Sequence, residues 1–151
     1  MITLKRTNSA DADFTILVKA LDLDLKIRDG DEHAFYAQYN KVASIKYVVV
    51  AYQNNEAIGC GAIKEYLPTT MEIKRMYVPV TQRGKGIASL ILTELENWAL
   101  QLGYQKCVLE TGLKQPEAIA LYKKNGYQII ENYGQYAGVE NSVCFEKKIS
   151  S

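Results

Sequence analysis

The chain has 151 residues, 48% hydrophobic and 23% charged, a length and composition that suit one globular domain around one core and exclude a disordered or fibrous chain. Eighteen Lys and Arg stand against seventeen Asp and Glu, a formal charge of +1, which gives no broad field for nucleic acid or an anionic membrane, and neither is expected as a partner. The opening MITLKRTNSADADF has no apolar run behind its positive charges, nowhere do about 18 apolar residues run together, and Cys60, Cys107 and Cys144 form neither a disulfide framework nor a paired metal site, so a cytoplasmic protein without a metal is expected.

Residues 2–7 (ITLKRT) alternate as a short strand, and Asn8 or Ser9 is placed to cap a helix carrying Phe14, Leu17, Val18 and Leu21. The stretch from Asp22 to Asp31 is charged. A second helical piece, EHAFYAQYNKV, presents Phe35, Tyr36 and Tyr39 at helical spacing, and together the two segments are expected to wall a pocket. His33 is the only histidine and reads as a surface residue rather than a base. YVVVAYQ (47–53), a turn at Asn54 and Asn55, and EAIGCGAIKEY (56–66) make an antiparallel hairpin. After Pro68, EIKRMYV (72–78) is a third strand that stops at Pro79.

Gly84 and Gly86 lead into the clearest helix, with Ile87, Ile91, Leu95, Trp98 and Leu102 on one face and Gly103 as its stop. KCVLET (106–111) reads as a buried strand, PEAIALYKKN (116–125) as a helix with Pro116 in its first turn and Gly126 at its end, and YQII (127–130) as another strand. The loop YGQYAG precedes a last strand, SVCFEKKI (142–149). The fold class is therefore mixed α/β, an antiparallel sheet passing into a strand, helix, strand unit whose long crossover implies locally parallel strands.

The turn Gln82-Arg83-Gly84-Lys85-Gly86-Ile87-Ala88 joins a strand to the N-terminus of that helix, where unpaired N–H groups and the positive end of the dipole attract an anion. The glycines let the backbone approach, and Arg83 and Lys85 add charge suited to a pyrophosphate. Neither GxxxxGK[ST] nor a dinucleotide GxGxxG after the first strand of a βαβ unit is present, so this is a phosphate cradle of another kind or an ordinary glycine turn with solvated charges.

Taken with its surroundings, the turn resembles the GCN5-related N-acetyltransferase superfamily, whose [RQ]-x-x-G-x-[GA] is matched by Arg83, Gly86 and Ala88. The second block of that family, N-x-x-A-x-x-L-Y-x-x-x-G-[FY], is matched by Ala118, Leu121, Tyr122, Gly126 and Tyr127, with Gln115 in place of the usual Asn. The likeness covers roughly residues 45 to 148, and EIKRMYV, LETG, QPEAIALY and YAGVENSVCFEK are similar to a bacterial branch of small-molecule acetyltransferases that includes enzymes proposed to act in indole-acetate metabolism.

The resemblance implies one N-acetyltransferase domain over 1–151, with six to seven strands, about four flanking helices, and a sheet splayed between its fourth and fifth strands. It implies acetyl-coenzyme A as cosubstrate and direct attack by a neutral amine, without an acyl-enzyme. Backbone groups of Met76, Tyr77 and Val78 would pair with the pantetheine arm, and one N–H there would polarise the thioester. Arg83, Gly84, Lys85, Gly86, Ile87 and Ala88 would hold the pyrophosphate, and Gln115 would contact the arm with a longer reach than Asn. Tyr122 stands at the general-acid position, its phenol protonated at neutral pH. Glu72 matches the glutamate base of the histone-acetyltransferase branch; it is either that base or the ion-pair partner of Lys74.

Glu72, Lys74 and Arg75 put three charges in one central strand, a costly arrangement if dry and unpaired, which an opened cleft or mutual pairing would relieve. Lys74 or Arg75 is placed to bind a substrate carboxylate, with Glu110 and Thr111 facing the same space. Tyr133 and Tyr136 are either an aromatic rim over the acceptor or exposed loop residues. The leading expectation is a small-molecule amine acceptor; a protein or peptide acceptor and a non-catalytic acyl-coenzyme A sensor are the alternatives. Exposed strands in so small a domain suit a homodimer.

Overall fold

The computed structural model describes residues 1–29 and 45–150. His33 and the helical piece expected over residues 32–42 lie outside the described residues. Seven strands form one sheet in the order β1-β2-β3-β4-β5-β7-β6: β1 (Ile2–Thr7), β2 (Tyr47–Gln53), β3 (Glu56–Leu67), β4 (Thr70–Tyr77), β5 (Lys106–Gly112), β6 (Gln128–Ile130) and β7 (Ser142–Lys148). Three α-helices are described: α1 (Ala12–Asp29), α2 (Ile87–Gln101) and α3 (Pro116–Lys124). Neighbouring strands are antiparallel except β4 and β5, which are parallel because α2 carries the chain between them.

The pleat sorts side chains onto two faces. On one, Ile63, Met71, Ile73, Leu109 and Phe145 pack beneath Ile87, Ile91 and Leu95 of α2 in the larger apolar core. On the other, Val48, Val50, Cys60 and Ala62 lie beneath Phe14, Leu17 and Val18 of α1. A third cluster on the β7 side centres on Tyr136 and Cys144, with Tyr133 and Val139 packed around it. The three cysteines are free and buried, as their apolar surroundings predicted; burial pushes the thiols of Cys60 and Cys107 up to about 12 and that of Cys144 up to about 11.

The helix α1 differs from its sequence reading at both ends. Asn8 spends its side chain on an Asx turn, its Oδ1 accepting the Ala10 N–H at 2.9 Å, so the cap falls to Asp11, whose Oδ1 accepts the Phe14 N–H at 3.1 Å. Further on, the charged residues after Leu21 do not stop the helix, which runs to Asp29, because Leu21 and Leu25 keep one face against β4.

β4 positions the site. Its parallel pairing with β5 covers only Thr70, Met71 and Glu72, which face Lys106, Cys107 and Val108, while β5 stays paired with β7 as far as Gly112. From Ile73 onward the two strands part, leaving the β5-facing backbone of β4 outside the ladder. On its other edge β4 carries a bulge: Cys60 faces Tyr77 and Ala62 faces Lys74, so the single residue Gly61 opposes both Arg75 and Met76. Arg75 takes the left-handed conformation there, with φ 58°. Gly61 is the partner this requires, since a Cβ at that position would stand 2.5 Å from Met76 Sδ and 2.9 Å from Leu95 Cδ1.

Candidate active site

Two cavities open along the splay. The larger, of about 410 Å³, lies between the end of β4, the turn after it, the first turn of α2 and one face of α3. Gly84 and Gly86 have φ of 83° and 78°, conformations that an L side chain strains to adopt, and Gly86 is the N-cap of α2 without any side-chain cap. The amides of the first turn of α2 are thus offered to whatever occupies the cavity, and the positive end of the helix dipole favours an anion there. Arg83 Nε donates to the Val78 carbonyl at 2.8 Å, folding the turn onto the strand end. Lys85 points elsewhere: its ammonium donates to Gln82 Oε1 at 3.0 Å, and it does not line the cavity.

Met76, Tyr77 and Val78 form the strand wall of this cavity, Arg83, Gly84 and Gly86 its turn, Ile87 and Ala88 its helix wall. Gln115, Ala118 and Leu121 of α3 close it with apolar surface beside one amide group. An anion-binding end joined to an apolar slot flanked by a strand edge suits a long acyl carrier with a phosphorylated head. Asn125 Nδ2 donates to Ser89 Oγ at 3.1 Å and to the Leu121 carbonyl at 2.9 Å, tying the end of α3 to the start of α2 across the slot.

The smaller cavity, of about 110 Å³, lies between α1, β4 and the far end of β5. Lys74, Arg75, Glu110 and Thr111 all line it. Met76, Gln115 and Tyr122 line both cavities, so the two meet where β4 bulges and α3 passes. Tyr122 is 6% exposed and packs edge-on against Tyr127, with Phe145 also 5.9 Å away. Burial, reinforced by the Glu110 carboxylate, pushes its phenol well above the usual range, so it is a proton donor at neutral pH.

Glu72 is buried but lines neither cavity. The Tyr133 hydroxyl donates to its Oε2 at 2.6 Å, and Lys74 Nζ stands 3.6 Å from Oε1. Burial and the Glu72 carboxylate push the Tyr133 phenol far up, so it remains a donor in this bond. Tyr133 in turn packs on Tyr66 and Tyr136, with ring centroids 4.9 and 5.8 Å away. Glu110 accepts from Ser142 Oγ at 2.7 Å. The Arg75 guanidinium is paired with Asp22 of α1, and its Nε is buried without a hydrogen-bond partner among the described residues.

Sequence reasoning missed two of these contacts. Asp22 reads in the sequence only as the start of a charged stretch; the Leu21 and Leu25 spacing is the available signal that it sits on the helix, facing β4. Tyr133 as a clamp on Glu72 has no sequence signal, since the two are 61 residues apart and meet only through the sheet. Among the described residues no group of three or more His, Cys, Asp or Glu is placed to hold a metal, and no helix is long and apolar enough to cross a membrane.

Comparison with known proteins agrees with this geometry. The family described as "Acetyltransferase (GNAT) family" matches residues 15–127. An IAA acetyltransferase of Azospirillum brasilense is 35% identical over 102 residues, which cover 67% of each chain. A Klebsiella pneumoniae structure assigned as an acyl-CoA N-acyltransferase superposes with a TM-score of 0.82 at 30% identity, covering 99% of this chain and 98% of that one. The fold is also that of a GNAT acetyltransferase from Elizabethkingia anophelis with acetyl-CoA bound, at a TM-score of 0.71 and 22% identity over 97% of both chains. The splayed sheet, the glycine turn on the α2 N-terminus and the matched sequence blocks together place the chain in the GNAT acetyltransferase family, as an N-acetyltransferase.

Proposed function

We propose that the protein transfers the acetyl group of acetyl-CoA to the amine of a small molecule within a ternary complex. The observation that carries this reading is the meeting of two cavities at Tyr122, one suited to an acyl carrier and the other small, polar and charged. Acetyl-CoA occupies the larger cavity with its pyrophosphate on the Gly84 and Gly86 turn and its pantetheine arm along Met76, Tyr77 and Val78. The acceptor enters the smaller one. No cysteine lines either cavity and burial holds all three thiols protonated, which favours direct attack over a cysteine acyl-enzyme. The same three buried free thiols favour a cytoplasmic location.

The amine nitrogen attacks the thioester carbon, the backbone N–H groups left unpaired by the splay stabilise the oxyanion, and the C–S bond breaks as the tetrahedral intermediate collapses. Tyr122 gives its proton to the departing thiolate and regains one from the nitrogen of the tetrahedral intermediate, which sheds it in becoming the amide. The proton lost by the ammonium goes to a carboxylate, and Glu110 is the better placed, because it lines the acceptor cavity with Tyr122 whereas Glu72 is held by Tyr133 outside it.

The test is free-thiol release from acetyl-CoA over a panel of amino acids, polyamines, aryl amines and peptides, with Tyr122→Phe alongside. Turnover of a small-molecule class with intersecting initial-velocity lines is the expected result. Parallel lines would replace the ternary complex with an acyl-enzyme, and turnover of peptides alone would replace the acceptor class.

A further inference from the structure

Resting on the acetyl-transfer reading, we propose that the acceptor is an aminocarboxylate and that Lys74 is the residue that binds its carboxylate. Lys74 lines the acceptor cavity with a side chain 8% exposed. Its ammonium makes no hydrogen bond to a described residue. Its one charged partner among the described residues, Glu72, stands at 3.6 Å, beyond hydrogen-bond reach, and that carboxylate is already engaged by the Tyr133 hydroxyl at 2.6 Å. The ammonium therefore holds one loose ion pair and hydrogen-bonding capacity to spare, and an anion entering the cavity would complete its shell.

The neighbouring cation is already paired, although its Nε has no hydrogen-bond partner among the described residues. The Arg75 guanidinium is committed to Asp22 across the cavity wall, and with a side chain 1% exposed it acts as a strut between α1 and the β4 bulge. Across the splay the sign reverses, for Glu110 lines the same cavity from β5. A cavity of about 110 Å³ with an ammonium on one wall and a carboxylate on the other matches a compact zwitterion better than a polyamine, which would leave Lys74 facing a like charge. With the carboxylate on Lys74, the amine lies on the Glu110 and Tyr122 side, where the larger cavity begins.

The experiment compares matched pairs, the twenty L-amino acids and their carboxamides, as acceptors with saturating acetyl-CoA, in wild type, Lys74→Met and Lys74→Arg. An amide's amine is less basic and so more of it is the neutral nucleophile at neutral pH; a preference for the acid therefore cannot come from intrinsic reactivity. The proposal expects at least one acid to exceed its amide about tenfold in kcat/KM, the ratio to collapse toward one in Lys74→Met, and most of it to return in Lys74→Arg. Amides turned over as well as acids by wild type, or an acid preference that survives Lys74→Met, would overturn it. Should no amine be acetylated although acetyl-CoA binds, the transfer reading fails, and calorimetric titration of the same acids and amides decides the anchor. Acid binding that is weakened in Lys74→Met supports it; binding indifferent to the carboxylate or to Lys74 overturns it.

Discussion

On the larger-cavity side of Tyr122, the polar recognition comes from backbone set among apolar side chains: a strand edge left unpaired beyond Glu72, a glycine turn and the first amides of α2. On the smaller-cavity side three charged side chains, Lys74 and Arg75 from β4 and Glu110 from β5, stand among apolar and neutral neighbours, with α1 behind them. A backbone site recognises what all its ligands share, here a phosphate and a thioester arm, and tolerates substitution around it. A side-chain site recognises what distinguishes one ligand from another, and a single change redefines it.

Five substitutions test that contrast. The largest effect is expected at the junction: Tyr122→Phe should lower kcat about 10³-fold while acetyl-CoA affinity shifts less than about threefold. Because burial raises the Tyr122 pKa, its acid form persists on the alkaline side, so the wild-type to mutant rate ratio should stay flat over about pH 7 to 9. A ratio that falls with rising pH in that range would assign the donor elsewhere.

Next, Glu110→Gln should reduce kcat/KM for the amine about 10²-fold and Glu72→Gln only about fivefold, measured by thiol release. The reverse order would move the proton acceptor from the cavity wall to the carboxylate that Tyr133 holds. Asp22→Ala leaves the Arg75 cation buried; since Asp22 itself is half exposed, water relieves part of the loss, and denaturant unfolding should show about 2 kcal/mol of destabilisation. Because Arg75 lines the acceptor cavity and not the larger one, the KM for the amine should rise more than that for acetyl-CoA. The smallest effect belongs to the backbone site. Gly86→Ala meets no neighbour within 4 Å and suffers only the strain of φ 78°, about 1 kcal/mol. It should raise the KM for acetyl-CoA about fivefold and leave kcat in place; a comparable loss in kcat would mean that the turn also holds the reacting atoms.

The backbone side was legible from the residues in order. The hairpin at Asn54 and Asn55, whose φ angles are 53° and 64°, the apolar face of α2 and the glycine turn at its N-terminus each depend on neighbours within a few positions, where local sterics and hydrogen bonding decide the conformation. The two matched blocks identified the family because they encode that local chemistry.

The charged side was only half legible. Lys74, Arg75, Glu110 and Thr111 could be named as residues that an opened cleft would gather, and they do share one cavity. Their pairing could not be read, because it turns on the bulge opposite Gly61, which sends the Arg75 side chain to Asp22, 53 residues away, and on the sheet register that brings Tyr133 to Glu72. A sequence states which charges a strand carries, and backbone propensities act over one turn or one hairpin. Which charge meets which partner is settled by strand order and register, through contacts between residues too far apart along the chain for any local preference to link them.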